Sequence, residues 1–320
     1  MINHFRDQMP RPIIGIGHSM GGNNLVNLSL MHPRLLETLV LVDPVFARSA
    51  SMKGNFLPAR ASAFRRDRWP SRKVAAESFG RSKFYQTWDP RVLELWVKYG
   101  LRELPTKLYP DKQPSPSATG AAVTTEPTIT PNIVENFSEK EVTLTTTKHQ
   151  EVFTFMRPNL PLLAESVPLA LTHPDIPLEG PRSPFYRAEP TITFFNLPFL
   201  RPSVFYIFGE HSDLSSPEFR SDKMAVTGTG VGGSGGANGG RVVEIVIKGT
   251  GHLIPMEKVE ETGARAAEWI GKEIKRWAAN EEIVGKAWKP VLEKEKYTLG
   301  SRVLEAFDGM GGREKPKAKM

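Results

Sequence analysis

Five residues near the start of the chain, Gly17-His18-Ser19-Met20-Gly21, spell G-x-S-x-G. A serine set between two such glycines is the pattern of a nucleophile elbow, a sharp turn that presents a hydroxyl for attack on a carbonyl carbon. A serine is a weak nucleophile unless a base takes its proton, so the reading requires a histidine and an acid elsewhere. The pattern is short, and its context decides its worth. Pro12-Ile13-Ile14-Gly15-Ile16 is an apolar, β-branched run of the buried-strand type. Asn23 to Met31 carries Leu25, Val26, Leu28, Leu30 and Met31, which predicts a partly buried helix, and His32-Pro33 stops it. Ser19 then lies on a strand-to-helix turn. Gly17 and Gly21 serve the strained backbone there and the close approach of helix to strand. The backbone N–H of Met20, at the helix start, faces a developing oxyanion.

The partners follow in the order acid, then histidine. Ser203 to Phe208 reads as a buried strand and runs into Gly209-Glu210-His211-Ser212-Asp213. Val242 to Ile247 reads as another and runs into Lys248-Gly249-Thr250-Gly251-His252-Leu253-Ile254-Pro255. Loops after consecutive strands meet at the C-terminal edge of a parallel sheet, where ligands bind. His252 is expected to take the Ser19 proton, and Asp213 to orient the imidazole and stabilise its charge. The alternative acid is Asp43, which follows a strand over 36–42 and also suits a cap of the next segment. Glu210 and His211 read as solvated loop residues, and His18 as a packing residue. His4, His32, His149 and His173 have ordinary structural readings.

The blocks Gly-His-Ser-Met-Gly-Gly at 17–22 and Gly-His-Leu-Ile-Pro-Met-Glu-Lys at 251–258 occur together with Trp88-Asp89-Pro90-Arg91-Val92 and Thr145-Thr146-Thr147-Lys148-His149-Gln150. On these residues the chain resembles the fungal α/β-hydrolases of the peroxisomal type. That group includes a yeast peroxisomal lipase-like hydrolase and hydrolases of host-selective toxin clusters of the AK-toxin kind. The resemblance covers nearly the whole chain. It implies an α/β fold with a mostly parallel sheet, and a serine hydrolase acting on an ester, thioester or similar acyl substrate. A sheet of this family has about eight strands, with the elbow after the fifth. The runs at 12–16, 36–42, 203–208 and 242–247 correspond to the last four, so the fold is read as N-terminally truncated. The loop that supplies a second oxyanion donor belongs to the missing part, and losing one such donor costs about 10²–10³ in turnover. Either the remainder is encoded upstream, or the chain is a short variant that no longer catalyses.

The organisation expected along the chain is a core over 1–46 and 201–289, a large inserted cap over 47–200, and a C-terminal tail over 290–320. Helices are expected near 74–79, 90–101, 217–226 and 257–289, where Ala266, Ile270, Ile274 and Trp277 share a face. Residues 105–135 and 157–200 are rich in proline and polar residues, as in exposed loops, and 139–156 fits helix or extended chain. The glycine tract 228–240 lacks the phosphate-loop spacing and is read as a flexible connector.

The chain has 320 residues, of which 39% are hydrophobic, enough for one large domain or a core with a cap. It contains no cysteine, which excludes disulfides and thiolate metal sites. It holds no apolar run of spanning length, and no secretory signal is read before the elbow. The net charge of +7 is spread out, with local density at 65–73 and 313–319. With no nucleic-acid motif, it is read as solvated surface rather than a nucleic-acid site.

These features support a serine hydrolase of the esterase, lipase or thioesterase kind. No metal or organic cofactor is implied. The resemblance alone adds a place in fungal secondary-metabolite biosynthesis. Two alternatives stay open: acyl transfer on the same triad, and a non-catalytic hydrolase-fold protein that binds a ligand. The last three residues, Ala318-Lys319-Met320, resemble the small-basic-aliphatic tripeptide read by the peroxisomal import receptor. The matrix of the peroxisome is therefore the expected location, with the cytoplasm as the alternative. A fluorescent protein carrying residues 309–320 should collect in peroxisomes of a fungal cell. Cytosolic fluorescence would overturn that reading.

Overall fold

The computed structural model describes residues 2–49, 52–110, 140–157, 171, 173–174 and 187–310. Seven strands form among them: β1 (Ile14–His18), β2 (Thr38–Val42), β3 (Arg68–Trp69), β4 (Leu101–Glu103), β5 (Val142–Leu144), β6 (Ser203–Gly209) and β7 (Val242–Ile247). The main sheet has the order β1-β2-β6-β7, and every pairing in it is parallel. This is the α/β architecture expected from the sequence. β2 and β6, the two central strands, are buried along their whole length. That is the signature of a parallel sheet covered on both faces, and it explains their continuous apolar runs.

One face of the sheet carries Leu39 and Leu41 of β2 with Val204, Tyr206 and Phe208 of β6. Val26 of the helix Met20–Met31 and Phe194, Leu197 and Leu200 of the segment before β6 join them in one cluster. Tyr206 and Phe208 stack with ring centroids 5.2 Å apart. Each such side chain contributes about 1.5–3 kcal/mol on full burial. At the sheet edge, β1 packs Gly15 and Gly17 under the helix that follows it. A Cβ on Gly17 would lie 2.8 Å from the backbone of Gly21 and Gly22, so only glycine admits this approach. On the other face of β1, Ile16 is 62% exposed.

The insertion between β2 and β6 builds a sheet of its own, antiparallel in the order β3-β5-β4. Trp69, Phe79, Tyr85, Val97, Leu101, Val142 and Leu144 form its core. Asp89 accepts from the Arg91 amide and caps the helix Pro90–Tyr99, where Pro90 supplies a first-turn residue that needs no N–H. Thr147 and Gln150 form a capping box on the helix Lys148–Phe155. The stretch 139–156, which fitted helix or extended chain, is both: β5 and then this helix. Backbone and side chains fasten the insertion to the segment beyond His252. The Asp89 amide donates to Met256 O at 2.8 Å, Thr87 Oγ1 to Glu257 at 3.3 Å, and Arg91 pairs with Glu260.

The glycine tract departs from its reading as a flexible connector. Gly228 N–H donates to Leu197 O, Gly230 N–H to Pro198 O and Ser234 N–H to Leu200 O, all at 2.8–3.0 Å. Gly228, Gly232, Gly235, Gly236 and Gly240 take positive φ. The tract is a compact turn folded on residues 197–200, and its glycines are there for backbone shape.

The chain divides into two compact units, Met1–Glu268 and Trp269–Met320, with the boundary inside the helix Val259–Trp288. Within the second unit Arg276 pairs with Glu273 at 2.6 Å, and a further helix, Ser301–Met310, forms where only a tail was expected. Among the described residues no helix is long and apolar enough to cross a membrane. Ala318, Lys319 and Met320 lie outside the described residues, as does most of the proline-rich parts of the insertion.

The tightest contact of a glycine with backbone joins the end of β6 to the loop after β7. A Cβ on Gly209 would stand 2.1 Å from the carbonyl oxygen of Gly251, which is backbone and cannot rotate away. Gly209→Ala is expected to cost about 1–3 kcal/mol, the usual range for an overpacked site. A fall in the urea midpoint, measured by circular dichroism, checks it; an unchanged midpoint would contradict the contact.

Candidate active site

The register of the sheet places the two residues that follow β1 and β2 side by side. His18 stands opposite Val42, and Val42 opposite Ile207. The next residues are Ser19 and Asp43. Both take positive φ, at 57° and 41°, and they are the two non-glycine residues with this geometry among those described. Such backbone costs of order 1–3 kcal/mol for an ordinary residue and persists only where the surroundings fix it. Here they do. Ser19 N–H donates to Val42 O at 2.9 Å, Asp43 N–H to Ile207 O at 2.8 Å, and Val45 N–H to Ser19 O at 3.2 Å. Gly22 completes the packing, since a Cβ there would meet Pro44 Cβ at 2.9 Å.

Ser19 sits before the first helical residue but makes no side-chain cap. Its hydroxyl instead lies 2.8 Å from His252 Nε2. His252 Nδ1 lies 2.6 Å from Asp43 Oδ2. An ionised carboxylate only accepts, so Nδ1 carries the proton and Nε2 accepts from Ser19. The amide of Met20 opens the helix Met20–Met31, where the first N–H groups have no intrahelical partner and the dipole favours negative charge. The sequence-predicted Ser19, His252 and Met20 therefore come together in one place.

The acid in contact is Asp43, not Asp213. After β6 the chain turns back on itself: Ser212 N–H donates to Gly209 O, Ser215 N–H to Ser212 O, and Ser215 Oγ to Gly209 O. This turn carries Asp213 out to solvent and Ser212 inward. Asp43 by contrast is fully buried. It follows the strand adjacent to the elbow strand, at the level of Ser19, so its carboxylate needs no loop to reach the imidazole. The sequence signal for it was present, an aspartate flush with the end of an apolar strand. What was missing was the knowledge that this strand lies between the elbow strand and β6.

Two further residues shape the site without having been singled out for it. His18, read as a packing residue, donates from Nε2 to the backbone carbonyl of His252 at 2.8 Å, and the two rings lie 4.7 Å apart. Burial pushes the pKa of His18 below its ordinary value; the hydrogen bond to His252 and the charge of Asp43 oppose this, while the charge of His252 adds to it. A neutral His18 suits a neighbour that must become an imidazolium. Ser212 Oγ lies 2.5 Å from Asp43 Oδ2. Glu210 is not simply solvated: it accepts from Lys248 Nζ at 2.7 Å and Gly249 N–H at 2.9 Å, tying the β6 and β7 loops, which holds its pKa below the usual value.

Residues 1–268 match the model of the alpha/beta hydrolase family. The chain is 37% identical over 327 residues to the Type I acyl-CoA thioesterase mpaH of Penicillium roqueforti, covering 98% of this chain and 72% of that protein. It is 38% identical over 297 residues to the Type I acyl-CoA thioesterase mpaH' of Penicillium brevicompactum, covering 90% of this chain and 64% of that one. The chain thus spans roughly two thirds of the length of these relatives. Among solved structures, the fold is similar to the peroxisomal alpha-beta-hydrolase Lpx1 of Saccharomyces cerevisiae, with a TM-score of 0.56 and 14% identity, over 97% of this chain and 67% of that one.

The two aspartates separate cleanly in an experiment. Asp43→Asn should slow the reaction of Ser19 with a fluorophosphonate by about 10³–10⁴, because the amide stabilises the wrong imidazole tautomer. Asp213→Asn should leave the rate within about twofold, as expected of an exposed loop residue. The reverse result would restore Asp213.

Proposed function

Because the chain belongs to the alpha/beta hydrolase family, we propose that Ser19, His252 and Asp43 are its catalytic triad and that the protein hydrolyses an acyl thioester or ester. The observation that carries this reading is the continuous hydrogen-bonded line from Ser19 Oγ through the His252 ring to Asp43, at 2.8 and 2.6 Å. Ser19 Oγ attacks the acyl carbonyl while His252 Nε2 takes its proton. Asp43 stabilises the imidazolium and holds its tautomer. The Met20 amide stabilises the oxyanion. Collapse expels the leaving group, which receives the proton from His252. Water then enters and attacks the acyl-enzyme carbonyl as it gives a proton to Nε2. Collapse of this second tetrahedral adduct breaks the bond to Ser19 Oγ, which takes that proton back from His252 as the carboxylic acid is released.

A thioester is the substrate class best supported. The two Penicillium relatives carry the name acyl-CoA thioesterase. A thiol leaving group has a pKa of about 8.5, so its departure demands less of the histidine than that of an alkoxide. The insertion 47–200 is read as a cap that shapes the acyl pocket; its own core and its bonds to Met256, Glu257 and Glu260 support this. Ala318-Lys319-Met320 supports delivery to the peroxisome by the import receptor, and the resemblance to toxin-cluster hydrolases supports work in secondary metabolism.

Incubation of the full chain with decanoyl-CoA, with free thiol followed colorimetrically, tests the proposal. Thiol release that Ser19→Ala lowers by at least about 10³ is expected. Release that survives Ser19→Ala would remove the serine from the mechanism.

A further inference from the structure

Asp43 receives both of its side-chain hydrogen bonds on one oxygen. Oδ2 takes His252 Nδ1 at 2.6 Å and Ser212 Oγ at 2.5 Å, while Oδ1 is buried and has no donor among the described residues. The direction of the Ser212 hydroxyl is fixed by its other neighbour. Leu214 N–H donates to Ser212 Oγ at 3.2 Å, which occupies a lone pair and leaves the hydroxyl proton for the carboxylate. Leu214 is held in turn through its carbonyl, which accepts from Lys223 Nζ at 3.0 Å.

Lys223 is unusual in its own right. Its side chain has no exposed surface. Its ammonium lies 5.6–5.8 Å from the ring centres of Phe46, Phe208 and Phe219. Burial lowers its pKa to about 8, against the opposing pull of Asp43 and Asp222. A lysine is costly to bury, and the one acceptor at its ammonium among the described residues is the Leu214 carbonyl of the turn that carries Ser212.

We infer that Ser212 is a positioning residue for the acid, and that Lys223 locks the turn that presents it. The inference rests on the triad reading above. The β6 loop, expected to supply an acid at Asp213, contributes the neighbouring hydroxyl instead, and that hydroxyl acts on the histidine through Asp43. Ser212 holds Oδ2 in line with the imidazole, so its loss should slow the reacting step and leave substrate binding alone.

The test reads kinact and KI for a fluorophosphonate on the full chain. Ser212→Ala should lower kinact about ten- to a hundredfold, the value of a hydrogen bond to a charged group, with KI unchanged. Ser212→Thr, which keeps the hydroxyl, should recover most of that rate. If the alanine variant does not fold, Ser212→Cys supplies a near-isosteric side chain with a much weaker donor and should show the same selective fall. Lys223→Met should produce a smaller fall in kinact of the same kind. A folded Ser212→Ala or Ser212→Cys protein with wild-type kinact, beside an inactive Asp43→Asn protein, overturns the role of Ser212 while the triad stands. Equal loss in the alanine and threonine variants also overturns it. Wild-type kinact in Asp43→Asn itself removes the triad reading, and this inference with it.

Discussion

A carboxylate with no exposed surface governs this site. An isolated charge in a protein interior costs several kcal/mol even after relaxation, so Asp43 is tolerable only where donors are brought to it. They arrive from two separate stretches of chain, His252 beyond β7 and Ser212 beyond β6. His252 is held in turn from a third stretch, because His18 grips its backbone carbonyl. The side chains of the proposed triad therefore answer to one electrostatic requirement, and the order of the sheet meets it. β2 must lie between β1 and β6 for Asp43 to be flanked by the serine on one side and the Ser212 turn on the other.

The second requirement is steric, and it is met by glycine. Gly17 lets the elbow helix settle on β1 with backbone against backbone. Gly209 lets the Gly251 carbonyl approach the end of β6, which places the residue immediately before His252. Ser19 and Asp43, by contrast, carry positive φ with full side chains. Their strain is held by the amides of Ser19, Asp43 and Val45, each donating to a backbone carbonyl. Precision at the hydroxyl is thus a property of the backbone ladder before it is one of the side chains.

Much of this was legible in the residues. The four apolar runs gave the parallel strands, and the two central ones read as unbroken apolar runs because β2 and β6 are buried along their whole length. The G-x-S-x-G pattern and the Gly-His-Leu-Ile-Pro block located Ser19 and His252, the proposed nucleophile and base, because each follows an apolar strand in sequence. The acid was harder. Asp43 and Asp213 each follow a strand in sequence, and the difference between them is which strand neighbours β1, a long-range fact that local pattern does not carry. Ser212 and His18 were invisible for a related reason. Their roles are single hydrogen bonds across 169 and 234 residues of sequence. The glycine tract misled because flexibility in composition was read as flexibility in space, whereas its positive-φ residues make a folded turn.

The insertion bears on chemistry through a route that composition could not show. Asp89 caps a helix inside the insertion, and Asp89, Thr87 and Arg91 reach out to Met256, Glu257 and Glu260 respectively. These acceptors follow His252 within the short turn Ile254–Glu257 and the start of the next helix. The element read as a cap and the segment that carries His252 thus share a foundation. The turn Ile254–Glu257 begins two residues beyond His252, so the bonds that anchor the insertion also tie down the chain just after that imidazole.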